Sequence, residues 1–232
     1  MTRTLLVALA HPDDEVGAVG TILSQLEVGD RVFLLWLTRG EMTQAFGSID
    51  PEEVAARREA LGAEAAARLG VEHRFLDFPD TRVQATPAAA AAVAKVLAEV
   101  RPDGVLTWGR AWVRGVRHPD HQACGKIVRD AITLARIAKA VEPLEPHRAW
   151  CPVFTFRDVH SSLPPVAVDV EAHLDTIHEL AAFYREAVGF GDREWLERRL
   201  VRAGSPFDLA HAEVFDAWES EGGVRPALLP AD

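Results

Sequence analysis

The chain has 232 residues, 48% hydrophobic and 26% charged, which suffices for one well-buried core and excludes collagen-like, coiled-coil and disordered classes. Lys and Arg number 25 against 35 Asp and Glu, and the resulting charge of −10 argues against nucleic acid as the main partner. Two cysteines, Cys124 and Cys151, make neither a disulfide framework nor a Cys-rich zinc site and read as buried thiols in a reducing compartment.

In chain order, residues 4–9 are a continuous apolar run that predicts a buried strand, and residues 15–27 a helix closed by Gly29. Residues 31–38 predict a second buried strand, followed by a loop over 39–49. Asp50, Pro51 and Glu53 mark a helix start, with Asp as N-cap and Pro in first position; that helix runs to Leu69 and stops at Gly70. A third strand is expected over 72–77 and a loop over 78–85. Thr86 and Pro87 open a helix to Val100, a fourth strand covers 103–108, and a loop covers 109–117. The helix after Pro119 should reach about Val141, where Pro143 and Pro146 break the chain. This alternation predicts an α/β fold with a mostly parallel sheet, right-handed crossovers and helices on both faces. Beyond residue 146 the pattern changes to strands over 153–159 and 166–170, helices over 174–187 and 193–203, and a strand or turn over 212–218. One domain is expected: a core over about 1–146, a C-terminal portion over 147–218 closing the site, and a frayed tail over 219–232. The first apolar run is too short for a signal-peptide core, and no apolar stretch is long enough for a membrane span, so a soluble cytoplasmic protein is expected.

Ligands of open parallel sheets bind beyond the carboxyl ends of the strands. After the first strand comes His11-Pro12-Asp13-Asp14-Glu15, after the second Thr38-Arg39-Gly40-Glu41, after the third Phe78-Pro79-Asp80, and beyond the fourth His118-Pro119-Asp120-His121. His11 and Asp14, three apart at a strand-to-helix turn, suit a zinc ion, and Asp13 between them is available as a base. Either His118 or His121 would complete a two-His, one-carboxylate set whose fourth position stays open for water. Each motif alone could be a helix cap; two caps of this composition after strands of one sheet make a much weaker explanation than one shared site. Gly17 and Gly20 lack the spacing of a nucleotide-binding loop.

These residues resemble the paired signature motifs of the LmbE-like, or PIG-L, zinc N-deacetylases. Thr38-Arg39-Gly40-Glu41, Arg58 ahead of Leu69-Gly70-Val71, Arg101-Pro102-Asp103 and Val168-Asp169-Val170 agree, so the resemblance spans roughly residues 4–190. It implies a Rossmann-like sheet, one Zn²⁺ or other divalent ion per chain, and hydrolysis of an N-acetyl group from an N-acetylglucosamine-type sugar conjugate. Residue by residue, His11, Asp14 and His121 resemble the metal ligands and Asp13 the general base. His118 resembles the group that assists the oxyanion or leaving amine, and Asp120 the carboxylate that orients it; independently of the resemblance, an imidazolium there would stabilise the tetrahedral anion. Arg58 and Asp80 resemble substrate-binding residues, although the glutamate usual three positions after the arginine is Leu61 here. The other reading of Arg57 and Arg58 is a solvated helix face.

Trp112, with Arg110, Arg114 and Arg117, forms a locally basic loop that could stack on a sugar and receive an anionic group, or serve as a subunit contact in a homo-oligomer. Glu41 could hold its turn or touch the substrate. His211 could line the site, whereas His73, His147, His160, His173 and His178 lack ligand spacing. Trp36 and Trp108 read as core, and Tyr184 as a non-catalytic residue of a late helix. Two other readings of the same pocket are a metal-dependent ester or phosphate hydrolase and an inactive metal-holding sugar-binding protein.

Overall fold

Strand β1 (Thr4–Leu9) is buried at every position, as its unbroken apolar run requires. It lies between β2 (Arg31–Thr38) and, on its other side, β4 (Gly104–Thr107), both parallel to it. Strand β3 (Glu72–Phe78) adds outside β2 and β5 (Val153–Phe156) outside β4, again in parallel. The chain thus winds outward from β1 to β3, then crosses back over β1 to β4. A crevice opens where this winding reverses, at the carboxyl ends of β1 and β4. The computed structural model describes residues 2–109, 117–158 and 160–229.

The connections are α1 (Val19–Glu27), α2 (Pro51–Leu69), α3 (Pro87–Val100) and α4 (Pro119–Ala135), with α3 packed on α4 and α1 touching α2. Helix α2 starts and stops as its residues dictate: Asp50 accepts the Glu52 amide at 2.9 Å, and Gly70 ends the helix at φ 71°. The helix expected over 15–27 instead opens with a 3-10 segment, Asp14–Ala18, before α1 begins. The helix expected to reach Val141 ends at Ala135, and a short α5 (Ala138–Val141) follows.

The second half of the sheet is mostly antiparallel. Strand β7 (Ala212–Ala217) inserts between β5 and β6 (Pro165–Asp169), antiparallel to both, while α6 (Leu174–Val188) and α7 (Arg193–Gly204) connect β6 to β7. Up to residue 229 the expected frayed tail packs onto the sheet: β8 (Gly223–Arg225) runs parallel to β6, giving the order β3-β2-β1-β4-β5-β7-β6-β8. Its apolar residues explain the ordering. Leu228 and Leu229 are buried, the Leu229 amide donates to Gln25 at 3.1 Å, and the Leu229 side chain fills the space left by Gly104. No described helix is long and apolar enough to cross a membrane.

Candidate active site

The acidic residues after β1 do not cap a helix. Asp14 folds back toward the strand end, where its Oδ2 accepts the Ala10 amide at 3.1 Å, the His11 amide at 2.9 Å and the Trp108 indole N–H at 3.3 Å. Its other oxygen is left 3.1 Å from His121 Nε2. The first amides of α1 are taken instead by Glu213 of β7, which accepts from Gly20 at 3.1 Å and Thr21 at 2.8 Å. A carboxylate therefore fills the helix end where a nucleotide phosphate would sit, and Gly20 admits the side chain of Val170.

The second motif is partly a cap. His118 is the N-cap of α4, its Nδ1 accepting the Asp120 amide at 3.3 Å. A neutral imidazole that accepts at Nδ1 carries its proton on Nε2, so its remaining nitrogen is a donor and not a metal ligand. One turn further, His121 lies flat on Trp108, with centroids 3.8 Å apart and 6° between planes. Ring nitrogens of His11, His118 and His121 all lie within 4.8 Å of one another.

Carboxylates surround His11. Its Nε2 donates to Asp120 at 3.1 Å and lies 3.2 Å from Asp80, while Nδ1 is 3.7 Å from Asp14. Burial would lower the His11 pKa, but Asp120, Asp80 and Asp14 together raise it to about 10. Burial opposes ionisation of Asp14 as well, yet His121 and His11 hold it below the usual carboxylate range. The pocket thus concentrates negative charge that calls for a cation. The compact donor groups among the described residues are His11, His118 and His121, and His11, Asp80, His118 and Asp120; with Asp14 beside His11 and His121, these nitrogen and oxygen donors are of the kind a divalent metal takes.

Burial pushes Asp13 up to about 6, with Arg58 pulling it down and Asp14 pushing it up. Arg58 Nη2 donates to Asp13 Oδ2 at 2.8 Å and to the Pro12 carbonyl. The two adjacent arginines therefore separate: Arg57 is exposed and pairs with Glu53, whereas Arg58 is buried against Asp13. Gly40 makes room for it, since a β-carbon there would stand 2.7 Å from Arg58 Nε on a backbone already at φ 69°. Glu41 holds loops together: it accepts the Asp80 amide at 2.7 Å, and Asp80 in return accepts the Met42 amide at 2.9 Å.

Three expectations need correction. The Asp120 carboxylate does not orient His118. Because the cap uses the Asp120 backbone amide, the side chain turns to His11 and to the amides of Thr81, at 2.7 Å, and Val83, at 3.2 Å. The imidazolium form of His118 is opposed here, because burial, His11 and His121 lower its pKa and its Nδ1 accepts the Asp120 amide. Arg58 and Asp80 line the cavity, as a substrate-binding role requires: Arg58 Nη2 is held by Asp13 and the Pro12 carbonyl, while its Nε and Nη1 find no hydrogen-bond partner among the described residues, and Asp80 holds the Met42 amide. His211 lies elsewhere, sharing Glu197 with His178. Arg117 pairs with Asp158 at 3.0 Å, and Trp112, Arg110 and Arg114 lie outside the described residues.

The cavity above this cluster has about 360 Å³. Its floor is His11, Asp13, Asp14, His118 and His121, and its walls include Met42, Thr43, Val188 and Phe190. Sequence reasoning missed these wall residues, as it missed Trp108, which touches both Asp14 and His121.

The sequence profile of the PIG-L family, described as GlcNAc-PI de-N-acetylase, matches residues 6–132. The 1D-myo-inositol 2-acetamido-2-deoxy-alpha-D-glucopyranoside deacetylase of Kineococcus radiotolerans is 31% identical over 193 residues, which is 63% of this chain and 53% of that protein. The chain spans about half the length of the curated relatives it matches. Among solved structures, the conserved protein TT1542 of Thermus thermophilus is 31% identical with a TM-score of 0.76, covering 94% of each chain. The N,N'-diacetylchitobiose deacetylase of Pyrococcus horikoshii shares the fold at 22% identity, with a TM-score of 0.82 over 93% of this chain and 84% of that one.

Proposed function

The chain belongs to the PIG-L family, and from that premise we propose that it is a metal-dependent hydrolase that removes the N-acetyl group of an N-acetylglucosamine-type sugar conjugate. The observation that carries the reading is the meeting of His11, Asp14, His121 and Asp13 on the floor of one cavity at the point where the sheet reverses its winding. The names of the relatives, deacetylases of 2-acetamido-2-deoxy-glucosides and of diacetylchitobiose, support the substrate class.

His11, Asp14 and His121 would hold the ion, with zinc suited to two imidazoles and a carboxylate. When bound, a divalent ion supplies Lewis-acid activation of water and of the amide carbonyl. Asp13 takes the proton of the attacking water and returns it to the leaving nitrogen. Arg58 engages one of its oxygens and leaves the other for that work. Burial raises the Asp13 pKa, which makes it a stronger base. His118, neutral and with its proton on Nε2, donates a hydrogen bond to the oxyanion as it develops. Phe190, Met42 and Val188 offer apolar contact to the carbon face of a sugar ring.

Incubating the metal-loaded protein with a panel of N-acetylglucosaminides tests the reading. Free amine and acetate should appear in equal amounts. Hydrolysis of esters or phosphates alone, or no turnover, would overturn it.

A further inference from the structure

Asp13 stands at φ 101°, ψ −21°, in the left-handed region that a β-carbon disfavours. Arg58 fixes its carboxylate, and a separate device fixes its backbone. The Asp13 amide donates to Glu15 Oε2 at 2.9 Å. Glu15 is fully buried and both of its oxygens are committed: Oε2 also accepts the Trp36 indole N–H at 3.1 Å, and Oε1 accepts the Tyr184 hydroxyl at 2.5 Å. Trp36 stands in β2 and Tyr184 in α6, and both are completely enclosed. Burial pushes the Glu15 carboxyl up to about 7. If this position needed only volume, an apolar side chain would fill it without desolvating a carboxylate. A carboxylate instead accepts the one amide that sets the conformation of Asp13, and donors from two distant elements hold it there.

We propose that Trp36 and Tyr184 are positioning residues that act through Glu15, holding Asp13 in the left-handed conformation from which its carboxylate enters the cavity. The inference rests on the role of Asp13 as the base. It makes α6, far along the chain from the paired motifs, part of the arrangement that aims that base.

Tyr184→Phe deletes one hydroxyl and keeps the ring. It should lower kcat by about ten- to a hundredfold, as small misplacements of catalytic groups do. KM should stay within about twofold, because Tyr184 touches no substrate, and metal content should stay unchanged. In the substrate-free protein, the Asp13 amide should shift in its ¹H–¹⁵N resonance and exchange faster with solvent. Glu15→Gln, whose amide oxygen still accepts the Asp13 N–H, should retain most of kcat and of the amide signature, whereas Glu15→Ala should lose both. A Tyr184→Phe protein with unchanged kcat, or with an unchanged Asp13 amide, overturns the proposal even if Glu15→Ala fails to fold. If the unmodified protein turns over no N-acetyl sugar, the deacetylase reading fails by itself, and the Asp13 amide in Tyr184→Phe alone decides whether the network positions that residue.

Discussion

The two halves of the sheet serve the site in different ways. The parallel half, β1 to β4, delivers its chemistry directly: His11, Asp13 and Asp14 follow β1, Gly40 and Met42 follow β2, Asp80 follows β3, and His118 and His121 lie beyond β4. The half from β5 onward lines the described cavity with Val188 and Phe190 alone. Its polar groups act from beneath, where Glu213 closes the end of α1 and Tyr184 holds Glu15. Parallel strands all point their carboxyl ends at one crevice, so their loops converge there. Antiparallel strands divide their loops between both ends of the sheet, and what they offer the site is packing and support.

This division predicts that damage to the first half removes chemistry and spares the fold, whereas damage to the second half does the reverse, Tyr184 excepted. The largest effects belong to the donors. His11→Ala, Asp14→Ala and His121→Ala should each drop bound metal well below one equivalent, with turnover lost alongside, while His118→Ala keeps its metal; elemental analysis of the four variants checks this. Full occupancy in all of the first three would break the assignment. In the second half, Phe215 is fully buried beside Phe156, and Phe215→Ala should cost about 3–5 kcal/mol in denaturant unfolding, with kcat of the folded fraction unchanged.

A smaller effect should come from Glu213. Burial raises its folded pKa from 4.5 to about 7, with Thr21, Arg199 and Gly20 pulling the other way. Folded protein therefore binds more protons than unfolded protein between these values, so this group's stabilisation is present below pH 4.5 and is lost as pH rises through about 7. The loss amounts to at most about 3 kcal/mol. Glu213→Gln should flatten the fall in stability between pH 5 and pH 8, as read from unfolding at the two pH values. An equal slope in both proteins would place the pH dependence elsewhere.

The same asymmetry governs what the sequence discloses. The strand–helix alternation and both histidine motifs were legible because the site residues of a parallel sheet directly follow its strands. Arg58 could have been separated from Arg57 by helical spacing, since Val54, Arg58, Gly62, Ala65 and Leu69 share the buried face of α2. Tyr184 shows the limit. Its place in the buried stripe of α6, with Ile177, Leu180 and Ala181, follows from periodicity, but its partner 169 residues away does not. The direction of the Asp120 side chain was likewise hidden, because it depends on which group of the cap His118 engages. The buried tail was visible only as three apolar residues, Ala227, Leu228 and Leu229, after a polar stretch.

The central claim is that Asp13 is the base of a metal-dependent deacetylation, held beside the ion and not bound to it. Asp13→Asn tests it most directly, because the amide has nearly the same size and cannot take a proton from water. Measured together, metal content should remain near one equivalent per chain and release of free amine from an N-acetylglucosaminide should fall by about 10²–10⁴. An Asp13→Asn protein that keeps its metal and hydrolyses the substrate at close to the unmodified rate would contradict the account.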